Sequence, residues 1–339
     1  MRPGIGSCAL MDKNFQTLTK VISASPDTAS GDAPLRGRFA PSPTGRMHAG
    51  NIFSALVSWV ICKRSGGGVV LRIEDLDRSR SKAGYIDQIM RDFEYLGLTW
   101  DYGPFYQSTR DSAYEAAYER LHEMGLIYPC YCTRADLHAA SAPHPGEKPI
   151  YPGTCRLLSH GELQEKERAA AATGRKPSFR IRVPNDLYSF RDGFQGPCEQ
   201  LLDRDCGDFV VRRSDGAFAY QLAVVVDDAA QGVNCIVRGS DLLSSTPQQL
   251  FLQDILGLSR PVYAHVPLMM GPDGHRLSKR HKDADLECLL ERFGSAQGIL
   301  GHISFLAGLV PEDEPFSAEQ ILRYADLSAL KKVESLQWR

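Results

Sequence analysis

Arg36-Gly37-Arg38-Phe39-Ala40-Pro41-Ser42-Pro43-Thr44-Gly45-Arg46-Met47-His48-Ala49-Gly50-Asn51 (residues 36–51) is the stretch from which the fold can be read. Residues 37–40 read as a short strand stopped by two prolines and a glycine. Residues 48–64 then set Ile52, Leu56, Trp59 and Val60 at the three-to-four spacing of a helix. Gly66, Gly67 and Gly68 close that helix, and Val69, Val70, Leu71 and Ile73 give the continuous apolar run of a strand buried on both faces. Strand, loop, helix, strand is the unit of a parallel α/β sheet, which holds its ligands beyond the carboxyl ends of its strands. The loop 41–51 falls at such an end.

Working outward, Ile86, Ile89, Met90, Phe93 and Leu96 mark one amphipathic helix, and a second opens at Ser108, with Asp111 three residues on, and stops near Gly125. Residues 129–152 change character to Cys, Pro and short polar side chains; Pro143, Pro145, Pro149 and Pro152 exclude a regular helix. Ser159 with Glu162 starts an Ala-rich helix ending at Gly174, after which Phe179, Ile181 and Val183 alternate with Arg180 and Arg182 as a half-exposed strand. Asp215-Gly216, between 209–212 and 217–220, predicts a hairpin. Residues 221–230 are ambiguous, 233–238 read as a strand, and Thr246-Pro247 opens a helix to Leu256. The pattern beyond Asp283 is mostly helical.

The chain has 339 residues, 43% hydrophobic and 24% charged, enough for about two domains without covalent staples. The longest apolar run, 52–62, is broken by Ser54, Ser58 and Trp59 and does not reach the ~18 to 20 residues of a membrane span. Residues 1–35 lack a secretory pattern, and Asp12, Asp27 and Asp32 suit an organelle transit peptide poorly; they read as a flexible tail on a cytoplasmic protein. With 39 Lys plus Arg against 41 Asp plus Glu, the formal charge is −2, so a nucleic-acid partner requires local basic patches. Two windows offer them: Arg175, Lys176, Arg180 and Arg182, then Arg276, Lys279, Arg280 and Lys282. Each also reads as an ordinary solvated face. Nine cysteines, an odd number with no export signal, point to free thiols or a metal rather than disulfides.

Neither G-x-x-x-x-G-K-[ST] nor G-x-G-x-x-G occurs, which removes P-loop NTPases and dinucleotide oxidoreductases. In their place stands the loop 41–51. Helix N-terminal amides attract anions, Gly50 lets a ligand approach the backbone, and His48 can donate to phosphate. The same residues also serve as plain turn punctuation with a structural histidine. A second element, Arg276-Leu277-Ser278-Lys279-Arg280 after Gly271-Pro272-Asp273-Gly274, could bring an ammonium onto phosphates as charge develops, or be a surface turn. Third, Cys130-x-Cys132 with Tyr151-x-x-x-Cys155 offers three thiols around a Pro-rich loop, the donor set zinc favours. Buried free thiols are the alternative.

Taken together, the first two elements resemble the H-x-G-N and [KR]-[ML]-S-K-[RS] signatures of class I aminoacyl-tRNA synthetases. Arg38-Phe39-Ala40-Pro41-Ser42-Pro43-Thr44-Gly45 and Arg72-Ile73-Glu74-Asp75-Leu76-Asp77 resemble the glutamyl branch. The resemblance covers 36–283; the second signature reads RLSKR, keeping Ser278 and Lys279. It implies a doubly wound parallel Rossmann-like sheet, ATP and magnesium, and catalysis by His48 and Lys279. Gly50, Asn51 and Ser278 would join those two around ATP. Binding free glutamate requires two cationic groups for its carboxylates and an anionic or dipolar partner for its ammonium. Arg38 and Arg238, at strand ends, supply the cations. Phe39, Ala40, Pro41, Ser42, Glu74 and Tyr220 match family positions that line the pocket and hold the ammonium. The C-x-C and Y-x3-C arrangement resembles the structural zinc site of glutamyl-queuosine tRNA(Asp) synthetases, with Cys130, Cys132, Tyr151 and Cys155 as ligands.

Within that family the short segment after Asp283 leaves no room for a helical anticodon-reading body. This implies transfer of activated L-glutamate to queuosine in the anticodon loop of tRNA(Asp). A shortened enzyme charging the 3′ end of tRNA(Glu), and a non-catalytic RNA-binding module, stay open as alternatives. The expected organisation is a tail (1–35), a catalytic half (36–110), a zinc-bearing insertion (111–204), a second catalytic half (205–262) and a short helical closing segment carrying the RLSKR loop (263–339).

Overall fold

The computed structural model describes residues 6–23, 34–133, 135–137, 150–277 and 285–338. The opening unit forms as its sequence predicts: β1 (Gly37–Phe39), α2 (Ala49–Arg64) and β2 (Val69–Ile73), with β1 and β2 paired in parallel. After α3 (Ala83–Tyr95), β3 (Tyr102–Tyr106) extends the same parallel ladder beyond β2. Beside β1 runs β9 (Cys235–Gly239), whose Cys235 N–H donates to Arg36 O at 3.1 Å. β10 (Val262–Val266) lies parallel to β9 on its far side. A Cβ on Gly37 would stand 2.6 Å from Cys62 Sγ and 2.9 Å from Ser58 Oγ, so the glycine lets α2 lie close over the junction of the two ladders.

Side-chain alternation shows why this sheet is covered on both faces. Val69, Leu71, Ile73, Cys235, Val237, Val262 and Ala264 point into one core with α2, whereas Val70, Ile236 and Tyr263 point into another with Leu250 of α8 (Thr246–Ile255). The ambiguous stretch is helical: α7 (Tyr220–Ala230) buries Leu222, Ala223, Val224 and Val225 against Tyr114 and Tyr118 of α4 (Asp111–Glu123).

Three expectations are corrected. Residues 6–23, expected as tail, form helix α1 (Gly6–Ser23), whose Leu18, Val21 and Ile22 are buried in the core with α2. An apolar stripe at three-to-four spacing outweighs the loose composition around it. The insertion expected over 111–204 is not one body. Its antiparallel sheet joins β4 (Ile127–Cys130), β5 (Ser178–Ile181) and β8 (Phe209–Arg212), the last lying outside the expected bounds. The hairpin β6 (Leu187–Asp192) and β7 (Gly196–Leu201) instead joins the parallel sheet through β10. The Asp215-Gly216 hairpin forms as read: Arg213 N–H donates to Ala217 O at 2.8 Å, Arg212 bridges Phe218 in antiparallel register and Ala219 N–H donates to Val211 O at 2.9 Å before the chain enters α7. Finally, the helix expected from Ser108 begins at Asp111, because the Ser108 hydroxyl donates to Asp75 at 2.6 Å in a preceding 3-10 turn.

The Ser159/Glu162 capping box forms as read and opens α5 (His160–Ala172). A four-residue α6 (Leu202–Asp205) follows β7. At the end, β11 (Leu268–Met270) pairs in parallel with β12 (Ser335–Gln337), around α9 (Leu286–Phe293), α10 (Ala296–Leu306) and α11 (Ala318–Tyr324). No described helix is long and apolar enough to cross a membrane.

Candidate active site

A cavity of about 540 Å³ opens where β1 and β9 meet, at the carboxyl ends of the parallel strands. Arg38, Phe39, Ala40, Pro41, Ser42, His48, Gly50, Asn51, Glu74, Tyr220 and Arg238 all line it. The sheet explains the convergence. Arg38 and Phe39 end β1, Arg238 lies near the end of β9, Glu74 follows β2, and Tyr220 opens α7. Glu74 N–H donates to Pro41 O at 2.9 Å, which ties the end of β2 to the 41–51 loop.

The charges are arranged with little slack. Arg38 donates to Val237 O at 2.9 Å and stands 3.8 Å from Asp228. Arg238 is buried, with its guanidinium on Gln249 Oε1 and Thr246 Oγ1, both at 2.9 Å, and on His265 Nε2 at 3.0 Å. Glu74 takes a contact of 3.3 Å from Arg72, which is fully buried and also bonded to Asp228 at 2.7 Å. Burial pushes the Glu74 carboxyl above its ordinary value, against the opposing pull of Arg72 and Arg38. Burial and the neighbouring Glu74 likewise raise Tyr220.

His48 is the N-cap residue of α2, and its backbone N–H donates to Asn51 Oδ1 at 3.3 Å. A Cβ on Gly50 would stand 3.2 Å from the His48 ring, tighter than an ordinary contact, so the glycine makes room for the imidazole. Ser278 and Lys279 lie outside the described residues, as do Arg280 and Lys282. The chain on both sides of that loop is at the cavity: Arg276 and Leu277 line it, and Asp285 bridges to His48. Arg276 pairs with Asp241, so its charge is engaged.

The first basic window is also divided. Arg180 is buried, not half exposed; it donates to Cys130 Sγ at 3.3 Å and to Asp208 O at 2.7 Å, and lies 3.8 Å over the Tyr151 ring. Arg182 covers the Tyr128 ring at 4.7 Å. Arg175 and Lys176 remain exposed.

The thiols of Cys130, Cys132 and Cys155 lie within 4.8 Å of one another, and the Cys132 and Cys155 sulfurs are 3.6 Å apart. That spacing fits donors on one metal, since tetrahedral thiolates with Zn–S near ~2.3 Å stand roughly 3.8 Å apart. Tyr151 is close by, its hydroxyl 3.6 Å from Cys130 Sγ and accepting Cys155 N–H at 2.6 Å. Hydrogen bonding from Cys155 holds the Cys130 thiol down, to about 4, with Tyr151 and Arg180 assisting against burial. The cluster could therefore hold a metal ion.

Comparison with known proteins matches this architecture. The family model for the catalytic domain of class I tRNA synthetases (E and Q) covers residues 34–334. A glutamyl-Q tRNA(Asp) synthetase from Symbiobacterium thermophilum is 44% identical over 309 residues, 88% of this chain and 94% of that protein. The chain belongs to the class I tRNA synthetases, in the glutamyl-Q tRNA(Asp) synthetase branch. A second member, from Nitratidesulfovibrio vulgaris, is 46% identical over 292 residues, 83% of this chain and 89% of its own. In fold, the chain is similar to a glutamate tRNA ligase from Elizabethkingia meningosepticum in complex with its amino acid: TM-score 0.73, 24% identity, covering 91% of this chain and 67% of that one.

For a class I synthetase of this branch, the residues that sequence reading missed lie behind the cavity wall. None of Arg72, Asp228, Asp192 and His265 lines the cavity, yet Arg72 and Asp228 contact Glu74 and Arg38, and His265, held by Asp192, contacts Arg238. Arg72 could have been found, since a lone arginine inside an apolar strand demands a partner. Asp192 gave no signal, because the hairpin that carries it was not read.

Proposed function

We propose that the chain activates L-glutamate with ATP, without tRNA, and transfers the glutamyl group to the queuosine base in the anticodon loop of tRNA(Asp). The observation that carries this reading is the cavity at the strand ends, where two buried arginines, the Glu74 carboxylate and a tyrosine converge beside the His48 turn. Arg38 and Arg238 would take the substrate carboxylates, and Glu74 with Tyr220 the ammonium. Phe39, Ala40, Pro41 and Ser42 would form the floor, and His48, Gly50, Asn51, Ser278 and Lys279 the ATP side. A carboxylate oxygen of glutamate attacks the α-phosphorus, the bond to the β-phosphate breaks, and pyrophosphate leaves. His48 and Lys279 stabilise the charge that develops on the phosphates. A hydroxyl of the queuosine cyclopentenediol then attacks the acyl carbon, loses its proton, and AMP leaves.

Magnesium would accompany ATP, held mainly by phosphate and water. Zinc would be held by Cys130, Cys132 and Cys155 with Tyr151, supplying structural cross-linking to a segment poor in core of its own. The names of the curated relatives favour the queuosine acceptor over the tRNA 3′ end. The absence of a disulfide among the described cysteines is in keeping with a cytoplasmic setting.

Glutamate-dependent ATP–pyrophosphate exchange without tRNA tests the first half. Mapping labelled glutamate on queuosine-containing tRNA(Asp) tests the second. Label at the 3′-terminal adenosine, or no exchange at all, overturns the corresponding half.

A further inference from the structure

Two arginines near the cavity are treated differently by the fold. Arg72 rests on carboxylates, at 2.7 Å from Asp228 and 3.3 Å from Glu74. Arg238, also buried, has only neutral acceptors among the described residues: His265, Gln249, Thr246 and the Leu242 carbonyl at 3.4 Å. Its charge is therefore not cancelled by a direct partner. Behind it, His265 Nδ1 lies 2.6 Å from Asp192 Oδ2, with both side chains fully buried. Asp192 also accepts the N–H groups of Phe194 and Gln195 at 3.0 Å each, so its carboxylate is fixed by the β6–β7 turn.

We propose that Asp192 and His265 are positioning residues for Arg238, holding its guanidinium aimed at a substrate carboxylate without neutralising it. Arginine Nε can only donate, so His265 Nε2 must accept and the ring proton must sit on Nδ1. Asp192 is the group that selects this tautomer. A carboxylate placed directly on Arg238 would fix its direction equally well, but would compete with the incoming carboxylate for the same charge. Interposing a neutral imidazole keeps the direction and leaves the charge available. Burial, aided by Arg238, holds His265 below its ordinary value against the pull of Asp192, which keeps the ring neutral. The idea rests on the glutamate reading of the cavity.

The test is a KM split in ATP–pyrophosphate exchange. Asp192→Asn can still accept the turn amides, but its NH₂ group would face Nδ1 as a donor and force the proton onto Nε2, donor against donor at Arg238. The expected result is a KM for glutamate raised about 10- to 100-fold, the range for losing a hydrogen bond to a charged group, with the KM for ATP unchanged. His265→Leu should do the same without disturbing the turn, while His265→Gln, which keeps an acceptor, should recover most of the affinity. Nitrogen NMR of labelled histidine in the wild-type protein, with the His265 ring assigned through its own backbone, should show the Nδ1–H tautomer, and this holds whether or not a variant folds. An Nε2–H or charged ring, or KM values for both substrates moving together, overturns the proposal. Absence of glutamate-dependent exchange in the wild type, with the tautomer as expected, overturns the glutamate reading instead.

Discussion

Arg72 Nη2 lies 3.3 Å from Glu74 Oε1, and this places a fully buried cation behind a carboxylate that lines the cavity. The pair is not isolated: Asp228 and Asp227 approach the same guanidinium at 2.7 and 3.9 Å. Arg110 pairs with Asp227 and Arg38 stands 3.8 Å from Asp228, so the three carboxylates are matched by guanidiniums within the fold, and Glu74 is the member of this cluster that reaches the cavity as a carboxylate.

Glu74→Gln removes the charge and nearly preserves the shape. It should raise the KM for glutamate in pyrophosphate exchange by at least about 10-fold, as expected for a charge-assisted hydrogen bond. Because burial raises the Glu74 carboxyl, protonation on lowering the pH should reach it before an ordinary glutamate near ~4.3. Only the ionised form attracts the ammonium, so kcat/KM for glutamate should fall on the acid side through an inflection above that value. The inflection should be missing in Glu74→Gln.

Lys279→Ala should reduce exchange on the order of 10²-fold, by analogy with removal of a preorganised charge-stabilising donor. Of the residues bordering its loop, Leu277 lines the cavity and Asp285 is bridged to His48, which lines it as well. Exchange near the wild-type rate in the variant removes Lys279 from the chemistry.

The reach of sequence reasoning follows the range of the interactions involved. The β1–α2–β2 unit and the cavity lining at Arg38, His48 and Arg238 were legible, because strand-end positions and local turn chemistry are encoded within a few residues, whereas Glu74 and Tyr220 came only from the resemblance to the glutamyl synthetases. Arg180 was misread for the opposite reason. Its alternation with Phe179 and Ile181 is that of a solvent-facing residue, and only the approach of Cys130 and Tyr151 from distant segments makes it a buried support. The β6–β7 hairpin has too little apolar patterning to announce itself: Leu187 and Glu199 are exposed, and its pairing to β10 is a single register position. Helix α1 was hidden by composition, its buried Leu18, Val21 and Ile22 lying among polar residues.

That helix yields a stability prediction. A Cβ on Gly193 would stand 3.0 Å from both Leu18 and Ile22, so α1 seats directly against the turn after Asp192. Leu18→Ala should destabilise the protein by about 2 to 5 kcal/mol, the range for a buried leucine cut to alanine, measured by urea unfolding. A change within error would mean that α1 does not dock in solution.

The Cys130 cluster separates the thiols from Tyr151. The Tyr151 hydroxyl already accepts Cys155 N–H at 2.6 Å, which orders the thiol loop whether or not oxygen touches a metal. Elemental analysis should find one zinc per chain, lost in Cys130→Ser, because two remaining thiols cannot complete a tetrahedral set. Tyr151→Phe keeps all three thiols and the ring beneath Arg180. It should therefore retain zinc at stoichiometric loading but release it to a competing chelator with affinity lower by about 10- to 100-fold, the cost of losing an orienting partner or a weak fourth ligand. Full retention against the chelator would assign Tyr151 to packing alone, and a wild-type protein without zinc would leave the three sulfurs as a hydrogen-bonded thiol cluster.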